Sequence, residues 1–183
     1  MIVLRGGRVV TPEGIETRDV YMENGKITAP GAADEVVDVR GMLLFPGFID
    51  SHTHLDMPVS GTVTADDFAS GTAAAAAGGT TVVLDFATQE RGGTLAQALD
   101  LWHSRADGRC AVDYGFHMAV TDWSEATQRE MADMVRQGIS SFKAYMAYDN
   151  LRLDDGALRG LLAEAGRLGC YVGVHCELGG EVN

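Results

Sequence analysis

The sequence predicts an α/β protein built on a TIM-type (β/α)8 barrel, incomplete here with strands one to five, and preceded by the N-terminal part of a small β-sandwich domain. Three observations predict this fold. Short strand-like runs fill residues 1–45, strand-like and helix-like runs alternate in residues 46–183, and glycines stand where helices should end. Five strands and four helices fall short of the eight of each that a closed barrel requires.

The first domain, residues 1–45, is predicted from short runs of β-forming residues separated by turn signals. The turn signals are Gly6-Gly7, Pro12-Glu13-Gly14 and Glu23-Asn24-Gly25. The predicted strands are Met1–Leu4, Arg8–Thr11, Asp19–Glu23, Lys26–Ala29 and Val36–Val39. A module of this size is too small to close a sandwich unaided.

The barrel domain, residues 46–183, is predicted from βα alternation, which indicates a parallel sheet. Its predicted strands are Phe48–His54, Thr80–Phe86, Val112–Thr121, Ile139–Tyr145 and Cys170–Glu177. Its predicted helices are Ala65–Ala77, Thr94–Asp107, Ser124–Gln137 and Asp154–Leu168. N-caps are expected at Thr64 for the first helix, at Asp122 or Ser124 for the third, and at Asp154 for the fourth. Residues 179–183 are expected to form a loop.

Composition excludes several classes of function. A net charge of −12 argues against nucleic acid, which needs clustered Lys and Arg. The longest run of small or apolar residues, Gly71–Gly79, is too short to span a bilayer. Three cysteines without framework spacing argue against a secreted disulfide scaffold, and the arginines near the N-terminus argue against a signal peptide. We therefore expect a cytoplasmic location.

Strand periodicity predicts which side chains face the barrel interior, because successive residues point to opposite faces. Asp50, His52 and His54 share a face of the first strand, and Lys143 opposes Phe142 on the fourth. On the second strand, we expect Val82, Leu84 and Phe86 to face the helices and Asp85 to face inward. We expect His117 and His175 to face inward and Cys176 to face the helices.

These inward residues suggest a metal site. His52 and His54, at i and i+2 on a strand, can both reach one metal ion. Lys143 has two open interpretations: an ion pair with Asp85 or Asp113, or a neutral amine of lowered pKa that adds CO2 and becomes a carbamate bridging two divalent ions. With that bridge, His175 becomes a ligand of the second ion.

Two such ions would share a hydroxide that attacks an amide carbon. The Tyr148 hydroxyl, just after the fourth strand, is a candidate oxyanion donor. Asp50 and Asp85 are candidate bases, but neither is convincing, so we expect the base to lie beyond residue 183.

Five ordered blocks resemble the amidohydrolase superfamily, and within it the hydantoinase and dihydropyrimidinase group. The blocks are 45–58 (FPGFIDSHTHLDMP), 71–86 (GTAAAAAGGTTVVLDF), 113–123 (DYGFHMAVTDW), 138–148 (GISSFKAYMAY) and 174–177 (VHCE). Leu178 departs from the pattern, since relatives usually have Asn there.

The resemblance implies hydrolysis of a hydantoin or 5,6-dihydropyrimidine ring to an N-carbamoyl amino acid. It also implies two divalent ions, usually Zn2+, CO2 for Lys143 carboxylation, and a homotetramer. The implied first-metal ligands are His52 and His54, Lys143 is the bridge, and His175 binds the second metal. Tyr148 is implied to bind the ring carbonyl, and the implied pocket residues are Leu55, Met57, Val59, Tyr145 and the loop 146–150.

Two alternatives stay open: an allantoinase or dihydroorotase, which share the ligand plan, and a non-catalytic scaffold of the same fold. The third and fourth blocks favour the hydantoinase side. Since the resemblance places further ligands and the base beyond residue 183, we expect the 183-residue chain to be inactive by itself.

Overall fold

The computed structural model describes residues 1–59 and 61–178. It divides into two compact units: the first is Met1–Phe48, and the second runs from Ile49 and is described as far as Leu178. Within the described residues, no helix combines the length and the apolar character needed to cross a bilayer.

The first unit is a five-stranded sheet in the order β3-β2-β1-β4, with β5 also paired to β1. Its strands are β1 (Ile2–Thr11), β2 (Gly14–Glu23), β3 (Lys26–Thr28), β4 (Glu35–Asp38) and β5 (Leu43–Leu44). The sequence predicted two strands where β1 is continuous. Pairing with β2 shifts register between Leu4 and Gly7, and Gly6 takes a φ of 74°, so a bulge accounts for the apparent break.

The second unit contains a five-stranded sheet in the order β12-β11-β10-β9-β6, together with a short antiparallel pair, β7 and β8. The strands are β6 (Phe48–Asp50), β7 (Pro58–Val59), β8 (Thr62–Val63), β9 (Thr80–Thr88), β10 (Asp113–Ala119), β11 (Ser141–Tyr145) and β12 (Tyr171–His175). The pairs β9–β10, β10–β11 and β11–β12 are parallel, as strand–helix alternation predicted.

Four helices connect these strands: α1 (Phe68–Ala77), α2 (Leu95–Ala106), α3 (Glu125–Arg136) and α4 (Asp155–Leu168). Ser124 and Asp154 cap α3 and α4 as predicted, and Gly169 ends α4 in the left-handed conformation. The prediction that Thr64 caps α1 is wrong. Asp67 caps α1 in a capping box with Ser70, while the Thr64 hydroxyl accepts a hydrogen bond from the Met57 N–H.

The hydrophobic core of the second unit is built from helix and strand residues packed together. Leu99 and Trp102 of α2, Met131 of α3 and Leu161 of α4 pack in one cluster with Phe142 of β11. This packing fixes the strands' apolar faces against helices. The other faces, and the ends of the strands, carry the candidate site.

The predicted loop at residues 179–183 lies outside the described residues.

Candidate functional site

Parallel register places the predicted inward residues of β10, β11 and β12 on one face of the sheet. His117 is paired with Phe86, Ala119 with Lys143, Lys143 with Gly173, and Tyr145 with His175. Paired residues of adjacent strands share a face. The inward orientations predicted for His117, Lys143 and His175 are therefore confirmed.

The prediction of which β9 side chains face the interior is wrong. The Phe86 ring lies on the histidine side, with its centroid 4.6 Å from that of His52, 5.0 Å from that of His54 and 4.9 Å from that of His117. Asp85 points the other way and accepts a hydrogen bond from the Trp102 indole N–H of α2, at 3.3 Å. Phe86, not Asp85, thus forms the apolar floor beneath the histidines.

Asp85 instead holds the backbone that follows β6. Its Oδ2 accepts from the Leu55 N–H at 2.7 Å and from the Thr53 hydroxyl at 3.2 Å, and its Oδ1 accepts from the Phe86 N–H at 2.6 Å. Because it is 1% exposed and bound by four donors, Asp85 is neither a free base nor a partner for Lys143. Asp50 accepts a hydrogen bond from the His52 N–H at 3.2 Å, so it supports the backbone at the first histidine.

His52 and His54, which follow β6, lie beside each other. Their ring centroids are 5.1 Å apart with an interplanar angle of 86°. Burial is the largest influence on the His54 pKa and lowers it, with smaller contributions from His52 and Lys143, while Asp85 opposes the shift. His54 therefore favours the neutral form, which is the form that binds metals.

His117 links the ends of two strands. Its Nε2 lies 2.9 Å from the Ser51 carbonyl oxygen, and its Nδ1 lies 2.6 Å from the Ser141 hydroxyl. Since the carbonyl can only accept, Nε2 carries the proton and Nδ1 accepts from Ser141. These bonds give His117 a supporting role, because they fix the backbone next to His52.

Lys143 is 8% exposed, and its Nζ lies 5.8 Å from the Phe86 ring centroid and 5.2 Å from that of Tyr145. Burial lowers its pKa, against a smaller opposing effect of Cys176. Among the described residues, Lys143 has no ion pair with Asp85 or Asp113. Of the two interpretations of Lys143, the ion pair is thus not supported.

His175 lies among three oxygen-bearing side chains at the end of β12. Its Nε2 is 3.4 Å from the Tyr148 hydroxyl and 2.9 Å from Glu177 Oε1, and its ring centroid is 5.9 Å from that of Tyr145. Glu177 was not among the candidate site residues that the sequence identified. Cys176, expected in the core, is exposed, because the chain leaves β12 at His175 and alternation no longer turns the thiol toward the helices.

Tyr148 lies in the loop between β11 and α4 and has a φ of 69°, which is unusual for a residue with a large side chain. Its carbonyl accepts hydrogen bonds from the Leu151 and Arg152 N–H groups, each at 2.8 Å. Its ring is 39% exposed, so the hydroxyl is accessible beside His175. A strained backbone at an accessible polar side chain is characteristic of functional sites.

The predicted pocket residues do not all lie together. Tyr145 stands between Lys143 and His175, as the contacts above show, and burial raises its pKa. Val59 is exposed in the β7–β8 pair that Met57 precedes. Leu55 is 9% exposed and packs in the core, against Gly71 of α1, so its packing gives no support to a pocket role.

Two buried polar atoms of the site have no hydrogen-bond partner among the described residues: His54 Nδ1 and Glu177 Oε2. Buried polar atoms are normally satisfied, so both indicate that a polar ligand belongs here. No three His, Cys, Asp or Glu side chains of residues 1–59 and 61–178 converge as a metal cluster by themselves. Lys143 lies outside those residue types and is buried on the same face as His117 and His175.

The fold and this site define an amidohydrolase-type α/β protein, a partial TIM-type barrel. A family model described as the amidohydrolase family matches residues 43–182, and the chain belongs to that family. A D-hydantoinase of Streptomyces coelicolor is 42% identical over 97% of this chain and 40% of its own length. A dihydropyrimidinase of Dictyostelium discoideum is 41% identical over 99% of this chain and 38% of its own.

Solved structures agree. The dihydropyrimidinase of Brevibacillus agri superimposes with a TM-score of 0.94 at 44% identity, over 97% of this chain and 40% of that one. The L-hydantoinase of Arthrobacter aurescens superimposes with a TM-score of 0.77 at 25% identity, over 96% of this chain and 40% of that one. The resemblance drawn from the five sequence blocks is confirmed. The chain spans about 40% of the length of the curated relatives it matches.

Proposed function

We propose that this chain forms part of a metal-dependent cyclic amidase that opens a hydantoin or 5,6-dihydropyrimidine ring to the N-carbamoyl amino acid. The observation that carries the proposal is the buried Lys143 amine, with its lowered pKa, on the same face as His117 and His175 and beside the Phe86 ring that also contacts His52 and His54. The relatives named D-hydantoinase and dihydropyrimidinase support this choice of substrate class.

The donor set fits divalent ions, with zinc proposed because imidazole nitrogen and carboxylate-type oxygen are both zinc ligands. His52 and His54 would hold one ion, His175 the other, and Lys143 as N6-carboxylysine would join them. Its neutral amine, favoured by burial, is the form able to add CO2. The unpartnered His54 Nδ1 supports ligation at this place. Bound, such ions supply Lewis-acid activation of a carbonyl and a hydroxide at neutral pH.

The chain's own residues bind and orient the substrate. The Tyr148 hydroxyl donates a hydrogen bond to the oxygen of the carbonyl under attack, a role supported by its position 3.4 Å from His175 Nε2. Tyr145, between Lys143 and His175, provides an apolar surface against which the substrate ring packs. Met57 and Val59 would shape the pocket around the ring substituent. In the net reaction, water adds hydroxyl to the carbonyl carbon, the ring C–N bond breaks, and the nitrogen gains the proton.

We also infer that the first unit is part of a small β-sandwich, which corresponds to a domain of residues 1–45. Its single sheet leaves Ile15, Ile27 and Met42 exposed, and a second sheet would cover such side chains. A homotetramer and a cytoplasmic location complete the proposal. The three cysteines are free thiols, which suits a reducing compartment.

A substrate screen tests the proposed function. The full-length product of the reading frame, loaded with zinc, is assayed against hydantoin, dihydrouracil, allantoin and dihydroorotate, and its metal content is measured. We expect about two ions per chain and ring opening of hydantoin or dihydrouracil. Selective opening of allantoin or dihydroorotate would move the protein to the alternative cyclic amidases. Less than one ion per chain without ring opening would indicate the non-catalytic scaffold.

A further inference from the structure

One arginine outside the metal site contacts the loop that carries Tyr148. Arg91 follows β9, and its guanidinium donates to two carbonyls of the loop between β11 and α4: Nη2 to Arg152 at 2.6 Å and Nε to Asn150 at 3.2 Å. These carbonyls lie two and four residues after Tyr148. A planar guanidinium can hold two acceptors in a fixed relation, which a lysine ammonium cannot reproduce.

The loop is also held by its own backbone and by β12. The Leu151 and Arg152 N–H groups bind the Tyr148 carbonyl, the Leu153 N–H binds the Tyr145 carbonyl at 3.0 Å, and the Met146 N–H donates to the His175 carbonyl at 3.1 Å. Tyr148 has the left-handed φ noted above, a conformation that persists only when its surroundings hold it. The two Arg91 hydrogen bonds supply such a constraint from a different element.

Arg91 is itself attached to the sheet. Gln89, two residues earlier and 3% exposed, accepts hydrogen bonds through its side-chain oxygen from the Thr121 and Asp122 N–H groups, at 3.1 and 3.2 Å. The Gly92 N–H donates to Asp122 Oδ2 at 3.0 Å. Hydrogen bonds thus tie the backbone on both sides of Arg91 to residues that follow β10, and the Arg91 guanidinium binds the Tyr148 loop.

We propose that Arg91 is a positioning residue that fixes the loop of residues 146–153 and thereby holds the Tyr148 hydroxyl beside His175. The inference rests on the proposed function, in which Tyr148 binds the reacting carbonyl. Both hydrogen bonds from Arg91 to the loop go to main-chain oxygens, so they hold the course of the loop backbone.

The test uses the full-length protein and two readouts. In Arg91→Ala, hydrogen exchange at the Leu151, Arg152 and Leu153 amides should accelerate by about tenfold, since local opening becomes easier. The kcat/KM for hydantoin should fall by about tenfold, mainly through kcat. In a Tyr148→Phe background the same change should cost less than about twofold, because the loop then positions nothing.

Controls separate a loop effect from general damage. Arg91→Lys should restore part of the activity, and millimolar guanidinium should partly rescue Arg91→Ala. Arg129→Ala removes an exposed arginine of α3, which pairs with the exposed Glu125 at 3.6 Å, and should leave both readouts unchanged.

Several outcomes would overturn the proposal. Unchanged amide exchange at residues 151–153 would show that Arg91 does not hold the loop. Multiplicative losses in the double variant would show that Arg91 acts on substrate directly, from the cavity that it lines with Met146 and Arg152. If the wild-type protein opens no cyclic amide, the proposed function fails, while amide exchange still decides whether Arg91 clamps the loop.

Discussion

The Asp85 carboxylate accepts a 2.7 Å hydrogen bond from the Leu55 N–H, a residue thirty positions earlier in the chain. Leu55 directly follows His54, so this bond fixes the course of the backbone that presents the histidine pair. The same carboxylate binds Trp102 of α2. A buried acid thus couples the candidate metal ligands to the helix layer.

Replacing Asp85 with Asn should therefore disturb both stability and metal binding. Asn offers one acceptor oxygen where the carboxylate offers two, so at least one of the buried donors loses its partner. We expect the free energy of unfolding to fall by about 2–4 kcal/mol and metal affinity to fall by about tenfold or more. Urea denaturation and metal titration measure the two effects.

Asp133→Asn is the matched control, because Asp133 is half exposed and pairs with Arg136 on the surface of α3. Its stability should stay within about 0.5 kcal/mol of the wild type. If Asp85→Asn changed the free energy of unfolding as little as the control does, Asp85 would not have the structural role assigned to it.

Asp85 also shows where sequence reasoning was insufficient. On β10, β11 and β12, one face was clearly apolar, so alternation assigned the faces correctly. On β9, both faces carry apolar residues and Asp85 is the one charged residue, and it was assigned to the interior because chemistry was expected there. Its partners, Leu55 and Trp102, lie far away in sequence. The indole N–H of Trp102, which needs an acceptor when buried, was the available signal.

The boundaries of elements were missed for similar reasons. The first barrel strand was predicted to reach His54 but ends at Asp50, because the residues that follow bind Asp85 and the Leu84 carbonyl rather than a strand ladder. The candidate ligands themselves were predictable, since strand ends and residue types identify them. Arg91 was not, because its partners are backbone carbonyls and no sequence motif marks them.

Two glycines of α4 should respond oppositely to alanine. A Cβ at Gly160 would lie 2.5 Å from the Trp123 indole nitrogen, whereas a Cβ at Gly166 would meet nothing within 4 Å. Alanine favours a helix over glycine by about 0.5–1 kcal/mol. We therefore expect Gly166→Ala to stabilise the protein and Gly160→Ala to destabilise it by about 1–3 kcal/mol, as overpacking does. Thermal unfolding of both variants measures the difference, and a stabilised Gly160→Ala would contradict the close packing of Trp123.

Lys143→Ala should abolish the bridge between the proposed metal ions. Residues 1–183 hold two lysines, Lys26 and Lys143, and in the full-length protein a carbon-13 carbamate signal from labelled CO2 is assigned to Lys143 by its loss on mutation. We expect the Lys143 variant to lose this signal, most of its metal and its activity. Short carboxylates such as acetate should restore part of the metal content and part of the activity. Metal content and turnover are the measurements.

Lys26→Ala, on the exposed strand β3, is the control and should keep the carbamate signal, the metal and the activity. Retention of both metal ions by untreated Lys143→Ala would refute the bridging role. Failure of every carboxylate, with the fold intact, would also argue against a bridge made by a carbamate oxygen pair.

Tyr148→Phe should lower turnover without changing metal content. Loss of one oxyanion donor costs about 10²–10³ in kcat in well-studied hydrolases, and a tyrosine 39% exposed should lie at the lower end of that range. The phenyl ring keeps the contact of Tyr148 with His175, so the loop should stay in place. Tyr171→Phe, which alters a tyrosine 81% exposed at the start of β12, should leave kcat unchanged. If Tyr148→Phe turned over at the wild-type rate, the hydroxyl would have no part in stabilising the oxyanion, and the effect of Arg91 would have to reach the reaction through another residue of the loop.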